Sequence, residues 1–78
     1  MISASENRVC IEKNGTHYFG IGHYLVFRYY DTKFLARIEE VGEHFFKGTD
    51  VKVFDYKGRY TNMGDRFFFF DKITECEV

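Results

Sequence analysis

The residues that could bind a metal ion or act as nucleophiles are few and widely spaced in this sequence. Its two cysteines, Cys10 and Cys76, lie near opposite ends of the chain, and two thiols cannot form a four-cysteine zinc site. The three histidines, His17, His23 and His44, match no familiar metal-binding spacing. We therefore expect no metal and no other cofactor. Free thiols in a reducing compartment are the favoured state of the cysteines, and a disulfide that joins the two ends is the alternative.

Side chains suited to catalysis are equally scarce. Ser3 and Ser5 are the only serines, and both lie in a polar N-terminal stretch. The sequence GIGHYL (residues 20–25) begins like a phosphate-binding loop, but it leads into a predicted strand rather than a helix. The adjacent carboxylates of Glu39 and Glu40 would face opposite sides of a strand and cannot act as a pair. The sequence therefore predicts that the protein is not an enzyme.

The charges are balanced, with 11 basic and 12 acidic residues among 78 and a net charge of −1. This balance gives no broad electrostatic reason to bind nucleic acid, although a local basic groove can still contact phosphates. The candidate phosphate contacts are Arg28, Lys57, Arg59 and Arg66.

The N-terminal stretch MISASENRVC has no apolar region of the kind found in secretory signals. No apolar run approaches the roughly 20 residues that a membrane-spanning helix needs. We therefore expect an intracellular protein without a membrane partner.

The sequence RFFFFDKI (residues 66–73) places four phenylalanines in a row. In a strand, Phe67 and Phe69 point to one face, and Phe68 and Phe70 point to the other. In a small barrel both faces can be covered, or one pair can line a binding groove. We expect Phe67 to belong to the core, because an apolar run of this kind is costly to expose to water.

The elements that position these residues are strands. Residues 1–22 form a polar N-terminal segment with one short strand predicted at Arg8–Glu12, followed by a turn at Asn14-Gly15. Strands are predicted at His23–Tyr30 and Phe34–Val41, on either side of a turn. Alternate residues of the second strand share an apolar face, which is strand spacing. A helix is the alternative there, since leucine, alanine, arginine and glutamate favour helices.

The second half of the sequence carries more turn signals. We predict a loop at Gly42–Asp50, a strand at Val51–Tyr56 and a turn-rich connection at Lys57–Asp65. The phenylalanine run is the last predicted strand, and residues 71–78 close with a helical turn. Four or five short strands in 78 residues indicate an all-β domain, a small SH3-like barrel that covers residues 23–78.

From Tyr24 onward the order of residues resembles the chromo-barrel, or Tudor-knot, domains of the MRG and MYST chromatin families. In that family the second strand has the form Y-x-A-K-I-x-x-I, the third ends in H-Y-x-G-W, and D-E-W-V-x-x-x-R-I follows. The corresponding residues are Ala36 to Ile38, Asp55 to Gly58, Asp65 to Phe68, and Lys72-Ile73. The resemblance covers about 50 of the 78 residues and implies a chromo-type barrel.

The resemblance also implies a ligand site. Many members of the family hold methyl-lysine in an aromatic cage, where ring faces attract the quaternary ammonium group. The matching rings are Tyr29 or Tyr30, Phe34, Tyr56 and, as a substitute, Tyr60. Arg59 and Gly64 stand where the family cage has tryptophan, with Met63 as another equivalent of the second position.

Two functions follow from these residues. The first is a non-catalytic chromatin-binding module that recognises a histone tail or nucleic acid within a histone-modifying complex in the nucleus. The alternative is a stand-alone SH3-like barrel that acts through protein–protein contact, as an assembly subunit or an inhibitor, with exposed rings near Tyr29 and Tyr30 as anchors. Rings that converge on one pocket favour the first function, and rings spread over a flat surface favour the second.

Overall fold

Two antiparallel sheets form the fold, and a computed structural model describes all residues, 1–78. The first sheet has the order β1-β2-β3, and the second has the order β7-β6-β5-β4-β8. The strands of the first sheet are β1 (Ile2–Ser5), β2 (Arg8–Glu12) and β3 (Thr16–Phe19). The strands of the second are β4 (Tyr24–Tyr29), β5 (Thr32–Val41), β6 (Phe45–Phe54), β7 (Tyr60–Phe69) and β8 (Ile73–Cys76), with a 3-10 turn at Phe70–Lys72.

The five-stranded sheet forms a small barrel-like fold. Its first four strands follow one another in a meander, and the 3-10 turn then carries the chain across so that β8 pairs with β4. The predicted all-β class and the helical turn near the C-terminus are confirmed; residues 73–76, for which no strand was predicted, form β8. β7 and β8 are the outer strands of this sheet and do not pair with each other. No helix in the fold has the length and apolar character needed to cross a membrane.

Tight turns set the register of the hairpins. Tyr30 and Asp31 link β4 to β5 with φ angles of 50° and 62°, the positive values that a two-residue type I′ turn requires. Glu6 and Asn7 link β1 to β2 in the same way, with φ angles of 50° and 61°. The short strand predicted at Arg8–Glu12 is present with those bounds.

The N-terminal residues contribute more structure than one strand. Residues 1–22 contain the whole first sheet, and Val9 and Ile11 of its central strand are buried in the same core as the barrel. Lys13 of the β2–β3 turn also donates a hydrogen bond from Nζ to the Cys76 carbonyl of β8, at 3.2 Å. The first sheet therefore packs on the barrel and shares its hydrophobic core.

Two predicted connections are wrong. Within the predicted loop Gly42–Asp50, only residues 42–44 connect strands, because β6 begins at Phe45. Within the predicted connection Lys57–Asp65, β7 begins at Tyr60. Both segments contain glycine and polar residues that usually mark turns. Here the outer side of β6 and β7 faces solvent, so polar residues are compatible with strand structure.

A cluster of aromatic rings fills the barrel. Phe68 lies at its centre, with ring centroids 4.8 Å from Phe27, 5.1 Å from Tyr29, and 5.3 Å from both Phe34 and Phe46. Three of these four pairs are edge-to-face contacts, a favoured geometry for aromatic pairs. The face predicted for β5 is confirmed, since Phe34, Ala36 and Ile38 are all buried.

The four phenylalanines alternate between the two faces as predicted. Phe68 and Phe70 are buried, whereas Phe67 and Phe69 remain 50% and 49% exposed. The expectation that Phe67 belongs to the core is wrong. The face of β7 that carries Phe67 and Phe69 points away from the aromatic cluster, and both rings stay half exposed there.

Both cysteines are free and buried, as favoured above. Burial raises the pKa of the Cys76 thiol from an ordinary value of 9.0 to about 11. The unfolded chain therefore loses this proton first as the pH rises, so the stabilisation is complete below pH 9 and is lost towards pH 11. We expect the free energy of unfolding to fall by about 1–3 kcal/mol across this window from this group.

Denaturant titrations at several pH values test this expectation, with the variant Cys76→Ala as the control. Tyrosines and lysines also titrate in this range. The contribution of the thiol is therefore the difference between the two proteins in how steeply the free energy of unfolding falls with pH. Parallel slopes would show that burial does not control this ionisation.

Candidate functional site

Two of the five predicted ligand-binding rings lie in the core. Tyr29 and Phe34 are only 5% and 4% exposed, and both pack against Phe68. The Tyr29 hydroxyl accepts a hydrogen bond from the Phe69 backbone N–H at 3.1 Å. These two side chains support the barrel from inside, and their ring faces are covered by other side chains.

The other three predicted rings are exposed but lie apart. Tyr30 is 65% exposed in the β4–β5 turn and contacts Tyr29, at a centroid distance of 4.9 Å. Tyr56 is 92% exposed in the β6–β7 turn, and Tyr60, at the start of β7, packs on Phe54 at 6.0 Å. No aromatic contact joins any two of Tyr30, Tyr56 and Tyr60. The structure does not bring the predicted rings together around one pocket.

The four predicted phosphate contacts are also dispersed. The Arg28 guanidinium lies 4.0 Å from the Glu75 carboxylate, and that of Arg59 lies 3.0 Å from the Asp55 carboxylate. Lys57 lies over the Tyr56 ring at 5.7 Å, and Arg66 lies over the Phe34 ring at 5.4 Å. Two of the four cations are thus paired with carboxylates, and the set does not form one basic groove.

One surface groove does join two predicted residues. It has a volume of about 420 Å³ between the β4–β5 and β6–β7 turns, and both Arg28 and Tyr56 line it. Its walls are largely polar and carry charges of both signs, including Asp31 and Asp55. Asp55 is already engaged, because its carboxylate accepts hydrogen bonds from the backbone N–H groups of residues 57 and 59.

A different aromatic surface lies on the outer side of β6 and β7. The side chains of Phe45, Phe67 and Phe69 meet there, with centroid distances of 5.5 Å between Phe45 and Phe67 and 6.2 Å between Phe45 and Phe69. We call these three side chains the outer phenylalanine face. The alternation of the phenylalanine run predicted that Phe67 and Phe69 point the same way. The sequence did not show that Phe45 lies beside them, because residues 42–50 were predicted to be a loop.

Acidic side chains surround a single lysine beside this face. Lys47 is paired with Phe67 across the ladder, and its Nζ lies 3.1 Å from the Glu39 carboxylate. The hydrogen bond and charge of Glu39, with smaller effects of Asp65 and Glu40, raise the pKa of Lys47. Three carboxylates therefore act on one ammonium group, and the local charge is negative.

A cleft continues the surface past Phe69. It has a volume of about 600 Å³ and separates β1 from the 3-10 turn, with Met1, Ile2 and Phe69 among its apolar walls. Glu43, His44 and Asp71 supply polar groups at the same cleft. The outer phenylalanine face and the cleft thus share the Phe69 ring and an acidic border.

A second polar cluster braces the bulge of β6. The Tyr24 hydroxyl and the Lys52 ammonium both donate to the Asp50 carboxylate, at 2.9 Å and 3.0 Å. The hydrogen bonds from Lys52 and then Tyr24 lower the pKa of Asp50. Asp50 has a φ of 51° at an irregularity in the ladder between β6 and β7. These contacts account for the cluster as a structural brace.

Comparison with known proteins adds no relative. No protein-family model matches the chain, and no curated protein and no solved structure is similar to it at a significant level.

Proposed function

We propose that this protein is a non-catalytic SH3-like barrel that works by binding another protein through its outer phenylalanine face. The observation that carries the proposal is the exposure of two neighbouring rings, Phe67 at 50% and Phe69 at 49%, on an outer strand. Exposed apolar patches with a polar border are typical of protein interaction sites. The closest polar border here is the set of carboxylates around Lys47.

The free energy gained when a partner covers these rings is large enough to anchor a protein interface. A phenylalanine buries about 150–250 Å² when it is fully covered, so each half-exposed ring can lose about 75–125 Å² more on binding. At about 25 cal/mol per Å², this corresponds to roughly 2–3 kcal/mol per ring before the costs of association. Two such rings supply an anchor of the kind that dominates protein interfaces.

A second candidate is the chromo-barrel function, in which a histone tail or nucleic acid is bound in the nucleus. One observation favours it, namely that Tyr56 and Arg28 line the same groove. A methyl-lysine cage needs several open ring faces, whereas Tyr29 and Phe34 are buried. Phosphate binding needs clustered cations, whereas Arg28 and Arg59 lie against carboxylates. The geometry therefore favours protein–protein contact.

An intracellular location is part of the proposal. Its support is the pair of free cysteines, which suits a reducing compartment. A nuclear location accompanies only the second candidate.

Two matched double variants separate the candidates. Phe67→Thr with Phe69→Thr removes the outer rings and keeps strand-forming residues, whereas Tyr30→Asn with Tyr56→Thr removes two rings elsewhere that are even more exposed. We expect the first variant to lose the partners captured by the wild-type protein from cells that produce it, by about tenfold or more. The second variant should retain them, and denaturant titration should show that both variants are folded.

The opposite pattern would support the chromatin candidate. Trimethyl-lysine peptides that bind more tightly than unmodified peptides, and that lose this preference in the Tyr30/Tyr56 variant, would overturn the proposed function. Equal capture by all three proteins would also exclude the outer phenylalanine face as the binding surface.

A further inference from the structure

The backbone of β7 is open to a further strand. β7 is the last strand of its sheet and pairs only with β6. The Phe69 N–H donates to the Tyr29 hydroxyl, so it points away from β6. The direction of backbone groups alternates along an antiparallel ladder, with a period of two residues. The N–H and C=O of Phe67 therefore also point away from β6, and nothing in the chain binds them.

The segment around Phe67 is regular enough to extend the sheet. The ladder from Arg66 to Phe69 pairs residue by residue with β6, and the irregularity begins only between Gly48 and Val51. Natural edge strands are usually blocked by proline, bulges or covering segments. The sequence contains no proline, and the residues from Asp65 to Phe67 are all exposed.

The charges beside Phe67 select the kind of segment that fits. Of the three carboxylates around Lys47, only that of Glu39 forms an ion pair with it. Glu40 is the ladder partner of Lys47, and Asp65 lies two residues before Phe67, on the same face of β7. Neither carboxylate has a cationic partner within ion-pair distance, so the outer surface is negative here. An incoming lysine or arginine next to Asp65 would neutralise this excess, and opposite charges on neighbouring strands stabilise strand pairing.

We propose that the β7 edge at Phe67 receives an extended segment of a partner protein by antiparallel strand addition. The segment carries an apolar side chain opposite Phe67 and a lysine or arginine two residues further towards its C-terminus, beside Asp65. The residue opposite Phe67 exchanges backbone hydrogen bonds with it, and its side chain covers the exposed ring. This inference rests on the proposed function and specifies the partner's chemistry.

A second copy of the chain fits this edge less well. Symmetric pairing about Asp65 places two carboxylates opposite each other, and pairing about Arg66 does the same with two guanidinium groups. Pairing about Phe67 places Asp65 of each copy opposite Phe69 of the other. Like charges that face each other across a ladder destabilise it, and the pairing about Phe67 gives Asp65 no cationic partner. A segment of a different protein with a basic residue beside Asp65 is therefore the better occupant.

A set of nine-residue peptides, added to the full chain labelled with ¹⁵N, tests the proposal. The probe consists of threonine and serine with leucine at positions 3 and 5 and lysine at position 7. One control has glutamate at position 7, a second has lysine placed before the leucines, and a third has an N-methyl group on the leucine at position 5. We expect the probe to cause saturable amide shifts centred on Phe67. Each control peptide should bind with about tenfold lower affinity.

The variant Asp65→Asn isolates the charge contact. This variant should bind the lysine peptide several-fold more weakly than the wild-type protein does, and its binding should depend less on salt. A peptide with serine at position 7 should bind both proteins with equal affinity. Equal binding of the lysine and glutamate peptides, no loss on N-methylation, shifts away from β7, or no binding at all would overturn the proposal. Concentration-dependent shifts of β7 in the free protein would overturn it in favour of self-pairing.

Failure of this inference can be told apart from failure of the proposed function. If partner capture depends on Phe67 and Phe69 but the lysine peptide does not bind, the face is used without basic strand addition. If partner capture is unchanged in the double variant, the proposed function itself is wrong.

Discussion

Replacement of Phe68 by alanine is expected to remove a large part of the stability of the protein. Phe68 is fully buried at the centre of the aromatic cluster, where the centroids of four other rings lie within 5.3 Å of its own ring centroid. Phenylalanine-to-alanine changes at buried sites cost about 3–5 kcal/mol through lost transfer energy and the cavity left behind. A 78-residue domain has roughly 4–12 kcal/mol to lose. Guanidinium titration followed by circular dichroism should therefore show a large decrease in the midpoint.

The neighbouring residue provides a matched control. Phe67→Thr removes a ring of the same type from the next position, but that ring is 50% exposed, so we expect a cost of no more than about 1 kcal/mol. The difference between the two variants measures the effect of facing inward or outward on β7. Similar costs for the two changes would mean that the outer phenylalanine face is covered in solution.

The phenylalanine run also shows what sequence patterns can and cannot establish. Strand periodicity separated Phe67 and Phe69 from Phe68 and Phe70, because side-chain direction depends only on neighbouring residues. It did not show which pair is buried, because that depends on whether another layer covers the strand. This is decided by which face of β7 points towards the core of the fold, where Phe68 and Phe70 pack.

The same distinction explains the results for the candidate site. The apolar face of β5 and a turn between β4 and β5 are local features, and both were predicted. The turn was predicted at residues 31–33, whereas in the structure it consists of Tyr30 and Asp31 and β5 begins at Thr32. The arrangement of Tyr29, Phe34 and Tyr56 was inferred from a resemblance, which aligns positions but does not show whether a ring faces the core or solvent. The outer phenylalanine face combines Phe45 with residues more than 20 positions away, so no local pattern could reveal it.

Gly48 is a second position where sequence and structure predict opposite effects. Valine has a much higher strand propensity than glycine, and Gly48 lies within β6 without a positive φ. A valine there would be stabilising if propensity decided. However, a Cβ at this position would lie 2.8 Å from the Ala36 Cβ and 3.1 Å from a ring carbon of Phe68. Neither atom can move without displacing β5 or the aromatic cluster.

We therefore expect Gly48→Val to destabilise the protein by about 2–3 kcal/mol, as overpacking of a filled core does, with Gly48→Ala less severe. Gly20→Ala is the control, because the nearest side-chain atom to its added Cβ is 4.0 Å away. The decisive measurement is a double-mutant cycle with Ala36→Gly, which removes the methyl group that Gly48→Ala would strike. The double variant should be more stable than the sum of the two single effects predicts, by about 1 kcal/mol. Additive effects would show that β5 and β6 separate without strain, and that the glycine is not required for their close approach.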